Sequence, residues 1–506
     1  MANYLYGAAV QGIQGFIFQT NELRDIIGAS ALVEQVCTTA FQAMAGCKPN
    51  IIGAAGNIKH VFDTREQCER VVRDFQRQVL TMAPGITFSQ AVVELDPAKT
   101  FASQVEELER KLRAQRNRPA PSTTLGLMAI KRAPKTGLPA VATDKGELID
   151  LATQCKRQAV DNMTLVDKSF GQADLSPDKV ALNIEDMTLK NDWIAVIHAD
   201  GNGLGQVVQA VGSDRDKFRQ FSSLLDQATV AAAHDAYLAV AGMYSGKIPM
   251  RPVVLGGDDM TIIMRADLAV LYTHAFIRAF EGHTRQLLGD ILEANGVFAG
   301  QRRLTCCAGI AFIKSSFPFH YGYSLAEQLC DQAKHDAKAR KHLLDGGLPP
   351  SCVMFHKVQD SFVDNFADIE RRELHVGTSA SWKFGPYYLE PLATRDRWTI
   401  DDLTQRVDEL DRQGDNARVV KSHLRQWMTL MHDSPSNAAQ KDRRVRTILT
   451  GDQLKLWDEL MGCHERDAHT GADGNPVRRS HYPALDVLAL HAVTYQDTTS
   501  NQPSVD

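Results

Sequence analysis

The stretch Pro252 to Ala266 reads PVVLGGDDMTIIMRA. Two runs rich in β-branched and apolar residues flank Gly256-Gly257-Asp258-Asp259, the pattern of a β-hairpin whose glycines accept backbone conformations that side chains resist. The tip presents two adjacent carboxylates. Asp and Gly have local reasons to sit in turns, so the tetrapeptide alone decides nothing about chemistry. Its meaning depends on what the rest of the chain brings to it.

Working outward, Trp193 to Ala199 (WIAVIHA) is a continuous apolar strand that ends at Asp200, directly before Gly201-Asn202-Gly203-Leu204-Gly205. Helical periodicity runs from Gly205 to Ala241 with a break near Gly212-Ser213. After the hairpin come a helix from about Leu268 to Leu288, a strand from Leu304 to Ile313 and a helix from about Ser324 to Leu344. The same order occurs earlier. Tyr4 to Val10 is a strand, Thr20 to Ala45 is helical, Ile51 to Phe62 is a hairpin, Arg65 to Met82 is a helix, Ile86 to Leu95 is a strand, and Thr100 to Gln115 is a helix. Two copies of β-α-β-β-α-β predict an α+β chain built from two ferredoxin-like palm domains. The expected divisions are a first, degenerate palm over 1–118, a connector over 119–189, a second, catalytic palm over 190–346 and a mainly helical C-terminal domain over 347–506. Within the connector, Pro119, Pro121 and Gly137-Leu138-Pro139 mark turns, and Glu147 to Asn162 reads as helical. Cys463 to Ser480 reads as a polar loop and Gln496 to Asp506 as a frayed tail.

The duplication supplies an internal contrast. The first hairpin tip is Gly53-Ala54-Ala55-Gly56-Asn57, without a carboxylate, so only the second tip can hold a metal.

The 506 residues are 44% hydrophobic and 23% charged, an ordinary globular composition with room for several domains. A formal charge of −5 excludes a generally basic coat, leaving the patch from Arg110 to Lys135 as the local candidate for polyanion contact. The nine cysteines form no CxxC pair and read as small core residues rather than a disulfide framework. Cys463, His464, His469 and His481 fit no structural zinc spacing, and no zinc is expected. No apolar run reaches membrane-span length, and the start lacks a basic leader, so the expected location is the cytoplasm, with no membrane contact.

In a β-α-β-β-α-β sheet the first strand lies beside the hairpin, which brings Asp200 against Asp258 and Asp259. Carboxylates so clustered raise one another's pKa unless a cation neutralises them, and hard divalent metal, Mg²⁺ or Mn²⁺, is the simplest answer. These three are the candidate catalytic and metal-binding residues. Two ions about 3.5–4 Å apart are the usual arrangement for in-line nucleotidyl transfer, one acting on the attacking 3′-hydroxyl and one on the triphosphate. Ala199, Gly201, Asn202, Gly203 and Gly205 beside Asp200, with Gly256 and Gly257 of the turn, are the expected nucleotide-binding set, because backbone N–H groups at a helix start approach phosphate closely. Lys334, in AEQLCDQAK on the helix after the last palm strand, and Lys338 are four apart and share a face, so either could reach a β- or γ-phosphate, and the motif context favours Lys334. The glycines run G-x-G-x-G rather than G-x-G-x-x-G and no G-x-x-x-x-G-K-[ST] occurs, so Rossmann and P-loop readings are weak.

These residues resemble the large palm-domain subunit of type III CRISPR effector complexes, the CRISPR polymerase-cyclase family, which is similar to GGDEF cyclases. The resemblance is carried by Val10 to Val33, by Gly53 to Phe62 as the degenerate hairpin, by IAVIHADGNGLG at Ile194 to Gly205, by LGGDD at Leu255 to Asp259, and by Cys307 to Lys334. FGPYYL at Phe384 to Leu389 is compatible with the family's helical C-terminal domain. The resemblance implies conversion of ATP to a cyclic oligoadenylate or related second messenger in antiviral defence. It places one ATP at Asp200, Asp258 and Asp259 and the acceptor between the palms near Gln14 to Ser30, with Asn21 and Ser30 as candidate acceptor contacts. Guide or target RNA and other effector subunits are the further partners it implies. The scattered His-Asp pairs at His234, His335 and His432 form no HD nuclease set, so no DNase activity is expected, and Ala133 to Ala140 lacks the cysteine zinc site that family members often carry between the palms. Two other readings stay open: a catalytically silent RNA-binding scaffold subunit, and a dinucleotide cyclase using GTP.

Overall fold

The structure is a computed structural model and describes residues 3–46, 48, 50–54, 56–117, 128–171, 175–190, 192–212, 214–360, 365–412, 415–470 and 476–495. The frayed-tail assignment, Pro119 and Pro121, Ala55 and the centre of the 463–480 segment lie outside them.

The first unit runs β1 (Tyr4–Gln11), α1 (Ile13–Ile17), α2 (Leu23–Gln35), a π turn and α3 (Phe41–Ala45), β2 (Ile52–Ala54), β3 (Asn57–Phe62), α4 (Arg65–Met82), β4 (Thr87–Glu94) and α5 (Phe101–Arg116). Its sheet has the order β2-β3-β1-β4, all antiparallel. Local chemistry sets the helix starts: Thr64 accepts from Gln67 N–H at 3.3 Å to open α4, and Thr100 accepts from Ser103 N–H at 3.3 Å to open α5. A connector follows, with β5 (Ala140–Asp144), β6 (Glu147–Asp150), α6 (Leu151–Gln158) and α7 (Thr164–Phe170). The first four residues of the expected helix from Glu147 are therefore strand. Asp150 ends that strand and caps α6 through Thr153 N–H at 3.0 Å.

The second unit comprises β7 (Trp193–Gly201), α8 (Leu204–Val211), α9 (Arg215–Val240), β8 (Met250–Gly256), β9 (Asp259–Arg265), α10 (Ala269–Ala294), β10 (Cys306–Lys314), α11 (Phe319–Ala339) and β11 (Cys352–Lys357). The inner order β10-β7-β9-β8 repeats that of the first sheet, and β11 and β14 (Tyr387–Tyr388) extend it at the β10 side. β7 is central and almost wholly buried, which is why it reads as an unbroken apolar run. α9 and α10 pack against one another, while α11 covers the face that carries Val196, His198 and Asp200. Gly309 makes that cover close, since a Cβ there would lie 2.0 Å from Ala326 O on α11.

The remainder holds α12 (Phe366–Ile369), β12 (His375–Val376), β13 (Ala380–Ser381), α13 (Ile400–Arg412), α14 (Asp415–Asp433), α15 (Pro435–Arg446), α16 (Gly451–Met461), β15 (His464–Thr470), β16 (Pro476–His481) and α17 (Ala484–Thr494). The segment expected to be a polar loop instead supplies β15 and β16, which pair antiparallel and join β13 in a four-stranded sheet. Its polar composition lacks the apolar alternation that marks a half-buried strand, so pattern alone missed it. Among the described residues no helix is long and apolar enough to cross a membrane.

Candidate active site

β7 pairs antiparallel with β9, placing Ala199 opposite Met260 and His198 opposite Thr261. Alternate residues share a sheet face, so His198 and Asp200 lie beside Asp259 and Thr261. Between β8 and β9 the turn closes at Gly256 opposite Asp259, and Gly257 takes φ +64°, the left-handed region that favours glycine. The expected meeting of Asp200 with the acidic turn is thus present: Asp258 and Asp200 hydrogen-bond through their side chains.

Burial and Asp200 act together on this turn. Burial, then the hydrogen bond and charge of Asp200, push Asp258 up to about 8. Burial, then the charge of Asp200, push Asp259 up to about 7, against the opposing pull of Lys334. Lys334, projecting from α11, forms an ion pair with Asp200. Burial disfavours its charge, but the Asp200 carboxylate outweighs burial and leaves the ammonium raised above its usual value. Carboxylates that hold protons near neutrality for lack of positive charge are a fitting receptor for a divalent cation. Ligand atoms of His198, Asp200 and Asp259 all lie within 4.8 Å of one another, and so fit such an ion. Sequence reasoning passed over His198, although its position two residues before Asp200 on a strand was the available signal. Its Nδ1 is 3.1 Å from Thr261 Oγ1, which fixes the ring.

The glycine-rich turn divides into backbone and structural roles. Ala199 is fully buried in β7. Asn202 is 1% exposed and turned inward, donating from Nδ2 to Thr305 Oγ1 at 3.1 Å and to Cys307 Sγ at 3.4 Å. The Asn202 side chain therefore braces the turn from within. Gly203, at φ +74°, opens α8, while Gly205 has open space at its Cβ position, and Gly201 packs against Leu204 and Asp258.

A cleft of about 740 Å³ lies between the two palm units beside the acidic turn. The second unit lines it with Leu204, Phe218, Phe221, Asp226 and Gly256 to Asp259, and the first with Thr38, Thr39, Gln42, Asn50, Asn57 and Lys59. Asn21 and Ser30 do not line it. Asn21 Oδ1 accepts from Phe319 N–H at 2.7 Å at the start of α11, and Ser30, 2% exposed, donates to Val253 O on β8. Both residues are engaged in joining the two units. Gln14, from the same segment, donates to Tyr323 Oη and Glu327 Oε1, each at 3.2 Å, and so also docks on α11.

Within the described part of the basic patch, several cations are engaged locally. Lys111 pairs with Glu107 at 3.2 Å, Lys135 pairs with Glu22 at 2.6 Å and Glu147 at 3.0 Å, and Arg132 donates to Gly137 O at 2.7 Å. Residues 118–127 lie outside the described set.

Residues 193–343 match the family described as Cas10/Cmr2, second palm domain. No curated protein matches the chain in sequence. Solved structures match it in fold. A Csm1–Csm4 cassette in complex with cA4 does so with TM-score 0.57 and 11% identity, covering 97% of this chain and 70% of the other. The cassette in complex with cA3 matches at 0.55 and 12%, over 98% and 70%. That in complex with pppApApA matches at 0.53 and 12%, over 97% and 69%. Identities this low speak to the fold alone.

Proposed function

We propose, taking the chain as a Cas10-like palm subunit, that it is a nucleotidyltransferase which joins ATP into a cyclic oligoadenylate or related nucleotide messenger, releasing pyrophosphate. The observation that carries this reading is the meeting of Asp200, Asp258 and Asp259 on one rigid sheet, with the carboxyls of the turn pushed up towards neutrality, beside a cleft of about 740 Å³ between the palms. The similar Csm1–Csm4 cassettes in complex with cA4, cA3 and pppApApA support the same substrate class.

In the proposed reaction the acceptor 3′-oxygen forms a bond to the α-phosphorus of the donor while the bond to the bridging oxygen breaks and pyrophosphate leaves. Asp200 and Asp259, with His198 beside them, would hold the divalent cation, Mg²⁺ or Mn²⁺. When bound, that cation supplies the positive charge which favours the ionised acceptor and offsets charge on the leaving group. The rigid β7 and β9 backbones hold the carboxylates in register, so little reorganisation accompanies the step. Lys334 is suited to exchange its partner, from Asp200 to triphosphate oxygen, as charge enters the site. The N–H groups at the start of α8 face phosphate, and Phe218, Phe221 and Leu204 offer an apolar wall to a base. A Csm4-like partner, as in the similar Csm1–Csm4 cassettes, and guide or target RNA are the partners proposed for it.

The test is to supply ATP, GTP, CTP and UTP singly and mixed, with Mg²⁺ or Mn²⁺, to the protein alone and with its complex partners, and to resolve products by mass spectrometry. Adenylate oligomers with released pyrophosphate support the reading. A guanylate product would assign the dinucleotide-cyclase alternative, and no product with any nucleotide or partner would leave the silent scaffold.

A further inference from the structure

The hairpin that carries the acidic turn has a free side. β8 is the outermost strand of the six-stranded sheet, so among the described residues its outward backbone groups have no strand partner. Two side chains from other parts of the chain meet it there. Ser30 of α2 donates to Val253 O, and Lys168 of α7 donates to Leu255 O at 2.9 Å. Beyond the strand, the turn itself is fixed from α9. Asp226 Oδ1 accepts from Gly257 N–H at 3.2 Å, and Thr229 Oγ1 donates to Gly257 O at 2.6 Å. Both backbone polar groups of the residue before Asp258 are therefore held.

Lys168 joins these contacts into one unit. Its ammonium lies 3.3 Å from Asp226 Oδ1, the oxygen that receives Gly257, and 3.7 Å from Glu34 Oε1 on α2. One connector lysine thus touches the hairpin backbone, the carboxylate that holds the turn, and the first palm unit. None of these residues needs to meet the reacting atoms for this to matter, because an error of about 1 Å in placing a reacting group can cost on the order of a hundredfold in rate.

We infer that Lys168, with Asp226 and Thr229, is a positioning set that holds the Gly257-Asp258-Asp259 turn in register with Asp200, and that the connector and first palm act on the active site through it. The inference rests on the proposed nucleotidyltransferase reading for its effect on turnover, but its structural part stands on the contacts of Lys168, Asp226 and Thr229 alone. A surface ion pair that merely adds stability would spread its effect over the fold. A positioning contact localises its effect at the turn.

The experiment compares full-length wild type with Lys168→Met and Lys168→Arg, in the complex if the complex is the active form. Three quantities are read: hydrogen exchange of backbone 253–260, Mn²⁺ affinity by electron paramagnetic resonance, and the split of turnover between kcat and KM. For Lys168→Met, exchange at 253–260 rises while β7 and β10 keep their protection. Mn²⁺ affinity weakens about fivefold, and kcat falls about tenfold with KM for ATP within about twofold, the scale of one charge-assisted hydrogen bond. Lys168→Arg restores most of each. Unchanged exchange at 253–260 in Lys168→Met would overturn the inference, as would a rise spread evenly over the sheet. Should Lys168→Met fail to fold, Thr229→Val keeps side-chain shape while removing the donor to Gly257 O, and carries the same expectation. A wild type that makes no product would undo the functional reading and leave the exchange measurement to decide this one.

Discussion

Lys334 sets its ammonium against the Asp200 carboxylate from a helix that Gly309 allows to lie close over the sheet. In a group of three carboxylates this places one positive charge at the point where a cation and a triphosphate would both enter. Lys334→Met should cut product formation about a hundredfold, the usual loss on removing one donor from a charged transition state. Lys334→Arg should recover only part of it, since a planar fork does not replace a compact ammonium. Steady-state kinetics on the three proteins checks both.

The raised carboxyls make a prediction about stability and pH. Folded Asp258 and Asp259 titrate at about 8 and about 7, against 3.8 for the free side chain. The folded state binds these protons more tightly than the unfolded chain does. Their contribution to stability is therefore fully present below the unfolded value and is lost as pH rises through the folded values. In metal-free buffer, Asp258→Asn with Asp259→Asn should melt increasingly above wild type as pH goes from about 5 to about 8. Thermal melts in a chelator check this, and a gap that narrows with pH would count against it.

Metal binding over the same range must displace protons, so Mn²⁺ affinity should rise with pH in wild type and much less in the double Asn variant. His198 adds a nitrogen to the oxygen set, which suits Mn²⁺ better than Mg²⁺. His198→Gln should weaken Mn²⁺ binding about tenfold and Mg²⁺ binding less, the lower end of the usual effect of altering a metal's surroundings. Titration calorimetry in buffers of different ionisation enthalpy reads affinity and proton release together.

Three glycines separate backbone strain from access. Gly203 has φ +74°, and a Cβ there would lie 2.4 Å from Phe298 Cζ. Gly257 has φ +64° with open space, and Gly205 has open space without a positive φ. Urea denaturation should show Gly203→Ala losing about 3 kcal/mol, Gly257→Ala about 1 kcal/mol and Gly205→Ala essentially nothing. Gly205→Ala should nevertheless weaken ATP binding, because its methyl intrudes where backbone approaches phosphate.

The centre of the site was legible in the sequence because its parts are local: a glycine turn between two apolar runs, and an acid at the end of a central strand. The repeated strand and helix order then implied that these two pieces meet. What remained hidden depends on long-range packing. Lys168, Asp226 and Thr229 sit on helices far from the turn in sequence, and nothing in their own surroundings marks them. The contacts of Asn21 with Phe319 and of Ser30 with Val253, and the lining of the cleft by Thr38, Thr39, Gln42, Asn50, Asn57 and Lys59, depend on packing between units that no local pattern shows. Asn202 was read with its glycine neighbours, but its side chain points into the core. β15 and β16 were missed because a polar hairpin has no alternation to read.

The acidic turn is the proposed seat of the transfer. The most direct measurement incubates wild type and the combined Asp258→Ala, Asp259→Ala protein with ATP and Mn²⁺, alone and in the assembled complex, and follows oligoadenylate by mass spectrometry. Product with pyrophosphate is expected from wild type and none from the variant, with both proteins folded. Product formed equally by both would contradict it.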